Sequence, residues 1–166
     1  MRIYWLPIFE KGKIGMMARP RGNEWLSDEV FKLKNYGVDC VVSLLTPDEI
    51  MELELDEEKA FCQELGINFI NFPIEDRSIP KQFNDFIRLI SLLENDLKAG
   101  QRVVIHCRMG IGRTALVTAA ILLRDGIAAD EVFAHLSKVR GLSMPDTEEQ
   151  KLWIKKWELE IRNSRI

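Results

Sequence analysis

Cys107 and Arg113 are the residues of this 166-residue chain whose types and spacing most directly imply chemistry. They bracket five residues within Val-Val-Ile-His-Cys-Arg-Met-Gly-Ile-Gly-Arg-Thr, Val103 to Thr114. The β-branched run Val103 to Ile105 reads as a buried strand. Gly110 and Gly112 mark a tight loop, and the apolar stretch Thr114 to Leu123 reads as a helix. A strand, a glycine turn and a helix N-terminus make an anion trap, because backbone N–H groups converge and the helix adds about half a positive charge. A thiol placed there beside a guanidinium is expected to ionise, since such settings lower a cysteine pKa from about 8.5 to roughly 3.5–7.5. The thiolate is a nucleophile, and Arg113 can grip two oxygens of a tetrahedral dianion, which Lys cannot. The chemistry implied is attack at phosphorus with a phosphocysteine intermediate. The plainer reading is a buried Cys in an ordinary βα turn.

An alkoxide or phenoxide leaves poorly without a proton. A positioned carboxylic acid supplies it, worth about 10²–10⁴-fold, and its ionised form can then activate water. Pro73-Ile74-Glu75-Asp76 follows an expected strand and precedes an expected helix. It therefore belongs to the carboxyl edge of the sheet, where the Cys107 loop also lies and where parallel sheets gather ligands. Glu75 and Asp76 are both candidates.

His106-Cys107-x-x-Gly110-x-x-Arg113-Thr114 resembles the signature of the cysteine-based protein tyrosine and dual-specificity phosphatases, nearest in pattern to the small atypical, kinase-associated group. The resemblance covers Val38 to Gln150. It implies catalytic roles for Cys107 and Arg113 and a phosphate cradle built from Arg108, Met109, Gly110, Ile111, Gly112 and Arg113. The family's general acid precedes the Cys by about thirty residues on a loop after a Pro-hydrophobic-acid pair, and Asp76 stands 31 residues before Cys107. This favours Asp76 over Glu75. The resemblance also implies that Thr114 stabilises the departing thiolate and that Gln150, in Pro145-Asp146-Thr147-Glu148-Glu149-Gln150, positions water; an exposed Gln in a first helical turn is the rival reading. His106 reads as a buried histidine fixing the loop rather than a base, and His135 has no partner in sequence. The insert that deepens the pocket of tyrosine-specific enzymes has no counterpart, so phosphoserine and phosphothreonine are expected substrates besides phosphotyrosine.

Elements must position these groups. Strands are expected at Arg2–Leu6, Lys13–Ala18, Val38–Leu45 and Ile67–Phe72. Helices are expected from an Asn23 N-cap to Tyr36 with Gly37 at C′, after a Thr46-Pro47-Asp48-Glu49 capping box, and over Glu57–Leu65. Others are expected from Pro80 to Leu97, from Thr114 to Arg124, over Asp130–Val139, and to Ile161 with Asp146 as N-cap. Alternating strands and helices predict one α/β domain over 1–166, three layers with a central, mostly parallel sheet.

Apolar residues make up 46% of the chain and charged residues 30%, with net charge −3. This predicts a globular protein without the basic patch of a nucleic-acid binder. No apolar run approaches the roughly 18 residues of a membrane span, and the N-terminus lacks a signal-peptide layout. Cys40, Cys62 and Cys107 lack metal-ligand spacing, and a catalytic thiol suits a reducing cytoplasm. Cys40 reads as core, and Cys62 as core or surface before a redox partner of Cys107. Amides and Arg113 supply the charge stabilisation, so no metal or cofactor is expected. The expected partner is a phosphorylated protein, met by a cytoplasmic monomer. The alternatives are a phosphatase for an inositol phosphate, phospholipid or RNA 5′-triphosphate, and a phosphate-binding module without turnover. A single basic residue, Arg108, at the variable loop positions weakens the lipid alternative.

Overall fold

The structure is a computed structural model describing residues 1–164, of which 162–164 are described by backbone alone. Strand β5 (Arg102–Cys107) is its axis. It runs parallel to β2 (Gly12–Ala18) on one side and to β3 (Cys40–Ser43) on the other, with β4 (Asn68–Asn71) parallel beyond β3. Strand β1 (Tyr4–Ile8) closes the far edge antiparallel to β2, giving the order β1-β2-β5-β3-β4. Pro7 lies within β1, which an edge strand tolerates because it need not donate to a second neighbour.

The period of two in β5 divides the core. Val103, Ile105 and Cys107 face a cluster completed by α4 (Phe83–Lys98), α5 (Gly112–Arg124), α6 (Ala129–Arg140) and α7 (Glu148–Ser164). Val104 faces a second cluster built with α1 (Leu26–Asn35) and α3 (Glu58–Glu64). Helices on both faces make the expected three layers. Every residue of α5 from Gly112 to Leu123 is buried, which explains its almost uncharged sequence. Each Leu or Ile buried there contributes about 1.5–3 kcal/mol. An aromatic cluster seats α7 on α4: Phe86 meets Trp153 and Trp157 edge-on at centroid distances of 4.7 and 5.2 Å.

Several expected boundaries shift. Strand β1 begins and ends two residues later than the expected Arg2–Leu6. Asn23 is not the cap of α1: residues Asn23–Trp25 form a 3-10 turn, Asn23 itself has φ +52, and α1 follows without a side-chain cap. Pro80 does not open α4, which starts at Phe83 after an extended Gln82. Helix α5 starts at Gly112, two residues before Thr114. Asp146 is not the cap of α7. Thr147 Oγ1 accepts from Gln150 N at 3.2 Å and Gln150 Oε1 accepts from Thr147 N at 3.3 Å, a reciprocal box that Asp146 is one residue too early to make. Gly37, at φ +72, ends α1 as expected, and Thr46 with Glu49 forms the expected box before α2 (Pro47–Glu52).

Candidate active site

Three loops leave the carboxyl ends of β3, β4 and β5 side by side: the approach to α2, the segment Phe72–Gln82, and the Cys107 loop. Four carbonyls of the segment around Cys107 are each occupied by a neighbour. Those of His106 and Arg108 accept from Leu44 N and Arg19 N, and those of Met109 and Gly110 accept from Arg140 at 3.1 and 3.4 Å. Among the described residues, the N–H groups of Arg108, Met109, Gly110 and Ile111 donate to no protein acceptor. Four free donors beside the N-terminus of α5 are groups that can serve as a cradle for an anion. Cys107 lies in this loop, 3% exposed, and its Sγ accepts from Thr114 Oγ1 at 3.2 Å. Two glycines make the tight path possible. Gly110 has φ +68 and a Cβ there would overlap the Met17 carbonyl; a Cβ on Gly112 would overlap the Asp146 carboxylate and approach Gln150 Oε1 to 3.0 Å.

Arg113 is 1% exposed, yet its guanidinium is well paired. Nη1 donates to Glu49 Oε2 at 2.6 Å and to the Ile74 carbonyl at 2.9 Å. Nη2 donates to Glu49 Oε1 and Asp76 Oδ1, each at 2.9 Å. Glu49 thus holds one edge of the guanidinium with both oxygens while its Oε2 also accepts from Thr46 N at 3.1 Å. Burial would raise its pKa, but Arg113, Thr46 and Arg108 outweigh that and hold it at about 2, below an ordinary 4.5. Nε of Arg113 donates to nothing among the described residues, so Nε and Nη2 form the edge on which a phosphate can be gripped once Asp76 yields its place.

The other candidates divide. Asp76 joins Arg113, whereas Glu75 turns to Lys81 at 3.2 Å. Arg108 contributes its amide to the cradle, but its guanidinium is drawn off to Glu52, at 2.6 Å, and Glu49. Met109 is exposed at the rim and Ile111 half-buried. His106 is fully buried on the opposite face of β5, its Nε2 3.0 Å from the buried Glu58 Oε1 but off line for a hydrogen bond. Gln150 is fully buried rather than exposed. Cys40 and Cys62 are core thiols that burial pushes up to about 12, and His135 is exposed on α6. No group of three or more His, Cys, Asp or Glu among the described residues could hold a metal ion.

Comparison with known proteins matches residues 14–127 of the chain to a family model, described as polymorphic toxin system, DSP-PTPase phosphatase. The chain belongs to the DSP-PTPase phosphatase family. Its relatives include a putative tyrosine phosphatase of Invertebrate iridescent virus 3, 26% identical over 84% of this chain. The chain spans only 56% of that viral protein's length. Cyclin-dependent kinase inhibitor 3 of Mus musculus is 27% identical over 85% of this chain and 71% of its own length. Among solved structures, kinase associated phosphatase with its catalytic-site cysteine changed to serine shares the fold at a TM-score of 0.86 and 23% identity, covering 99% of this chain and 95% of that one.

Within this DSP-PTPase phosphatase, sequence reasoning missed Glu49 and Arg140 as parts of the candidate site. Glu49 was legible only as a helix cap. The signal that could have found it is its place just after β3, at the same sheet edge as Cys107. Arg140 lies on α6, distant in sequence, and carries no local signature.

Proposed function

We propose that the chain hydrolyses phosphomonoesters on proteins, on phosphotyrosine and also on phosphoserine and phosphothreonine. The observation that carries this is the loop in which Arg108, Met109, Gly110 and Ile111 keep N–H groups without a protein acceptor, directly after a cysteine whose sulfur accepts from Thr114 Oγ1. Such fixed donors stabilise charge without reorganising during reaction. The phosphoryl group lies in the cradle against Nε and Nη2 of Arg113. Cys107 Sγ attacks phosphorus; the S–P bond forms as the P–O bond to the leaving group breaks, and Asp76 gives that oxygen its proton. Asp76, now ionised, takes a proton from water as that water attacks the phosphocysteine. The S–P bond breaks, inorganic phosphate leaves, and the Thr114 hydroxyl stabilises the returning thiolate.

Arg108 favours a protein phosphomonoester over a polyphosphorylated lipid or inositol, because its guanidinium is engaged by Glu49 and Glu52 rather than free to meet a second phosphate. No described helix is long and apolar enough to cross a membrane. The setting we favour is a single catalytic unit acting as a cytoplasmic monomer, which its three free cysteines suit.

The test is turnover of p-nitrophenyl phosphate with chelator present, with rapid-quench capture of the phosphoenzyme, followed by a panel of phosphopeptides, inositol phosphates and 5′-triphosphorylated RNA. Wild-type protein is expected to turn over the aryl ester and phosphopeptides, and Cys107→Ser neither to turn over nor to form phosphoenzyme. A fully active Cys107→Ser protein would refute the reading.

A further inference from the structure

Gln150 lies under the acid-bearing loop with every side-chain polar atom engaged. It is fully buried. Its Oε1 accepts from Asp146 N at 3.1 Å and Thr147 N at 3.3 Å, and its Nε2 donates to the Ser78 carbonyl at 3.0 Å. Two donors on one side and an acceptor on the other fix which end of the amide is which.

Ser78 closes the turn that carries Asp76. Its N–H donates to the Glu75 carbonyl at 3.1 Å, so Asp76 and Arg77 are the two central residues. Arg77 has φ +57, in the left-handed region that a turn of this kind asks of its third residue and that Gly or Asn occupies more easily. The turn is therefore not held by local preference alone. On the other side, Gln150 sits against Gly112, the first residue of α5, and α7 is seated on α4 by Trp153 and Trp157. The amide of Gln150 joins the Asp76 turn to a rigid helix beside the Cys107 loop.

We propose that Gln150 is a positioning residue that acts through Asp76: its Nε2–H to the Ser78 carbonyl sets where the carboxyl group stands, and so governs protonation of the leaving group. This rests on the reading of Asp76 as general acid. A water-orienting role would instead act on hydrolysis of the phosphocysteine, after the leaving group has gone.

Gln150→Glu separates the two functions of the side chain. A carboxylate still accepts from Thr147 N, as Glu does in a capping box, but it faces the Ser78 carbonyl with no donor. The experiment compares the full chain with Gln150→Glu on aryl phosphates, from 2,4-dinitrophenyl phosphate, whose phenoxide leaves without a proton, to phenyl phosphate, whose phenoxide needs one. The expected result is kcat/KM within about twofold of wild type on the dinitrophenyl ester and a loss of roughly tenfold or more on the phenyl ester, inside the ~10²–10⁴ a general acid supplies. In an Asp76→Asn background Gln150→Glu is expected to add no further loss, because the two residues act as one unit. Gln150→Met, uncharged and similar in length, runs the same panel and keeps the test open should Gln150→Glu fold poorly. Equal losses on every ester, no loss on any, or an undiminished loss in the Asp76→Asn background would overturn the proposal. Wild-type protein inert on all the esters would instead defeat the phosphatase reading itself.

Discussion

Asp76 Oδ1 accepts from Arg113 Nη2 at 2.9 Å, on the guanidinium edge that a phosphate would use. The proposed acid and the proposed anion clamp therefore hold each other, and an incoming phosphoryl group would have to exchange one carboxylate for its own oxygens. Asp76→Asn is expected to lower kcat on phenyl phosphate by about 10²-fold or more without raising the inhibition constant for inorganic phosphate. A parallel loss of phosphate affinity would mean that Asp76 serves the clamp rather than the proton transfer.

Glu49 ties the same guanidinium down from the other edge. Because its carboxyl is held at about 2 against an ordinary 4.5, its contribution to stability is fully present above pH 4.5 and drains away as pH falls toward 2. Glu49→Gln is expected to cost about 3 kcal/mol at neutral pH, since it leaves buried Arg113 short of a partner. It should also flatten the fall in urea midpoint between pH 4.5 and 2. An unchanged midpoint profile would count against the pair as a stabilising contact.

Thr114 donates to Cys107 Sγ at 3.2 Å. Hydrogen bonds to charged groups are worth about 1.5–3 kcal/mol, so Thr114→Val is expected to slow breakdown of the phosphocysteine by roughly ten- to a hundredfold while sparing the first release of phenol. Pre-steady-state kinetics would then show a burst followed by a slow steady rate. Loss of the burst itself would assign Thr114 to the attack instead.

Arg140 reaches from α6 to the carbonyls of Met109 and Gly110 and stacks on the Tyr4 ring at 4.3 Å. It thereby ties down the backbone of the loop whose N–H groups have no protein acceptor. Arg140→Ala is expected to raise KM and the vanadate inhibition constant together by about tenfold, the effect of losing one to two hydrogen bonds, with Tm nearly unchanged. A fall in Tm without weaker vanadate binding would make the contact merely structural.

The strand, loop and helix around Cys107 were legible because glycine, charge and apolar period change within a few residues there. The burial of α5 could be read from its lack of charge, and the three layers from the alternation of elements. Less legible was anything requiring two distant segments to meet. Glu49 satisfies a local rule so completely, as the closing residue of a capping box, that nothing in the sequence hints at a second partner 64 residues away. In sequence Gln150 reads equally as a water-positioning residue and as an exposed residue of a first turn, and its burial follows only once the Phe86, Trp153 and Trp157 cluster seats α7. The shift at Asp146 has a local cause: Thr147, one residue on, is placed to make the reciprocal box with Gln150, and starts the helix instead.

Helix α2 is six residues long, too short to persist in water unaided. The carboxylate that closes its first turn is also the one that grips Arg113. Fraying of this short segment and occupancy of the cup therefore belong to one thermodynamic cycle: whatever free energy an anion gains from a well-seated guanidinium is returned as resistance of the segment to opening. Deuterium uptake at the amides of residues 48–52 should accordingly slow when inorganic phosphate is aboard, making this segment a reporter of the anion's arrival through Glu49 and Arg113.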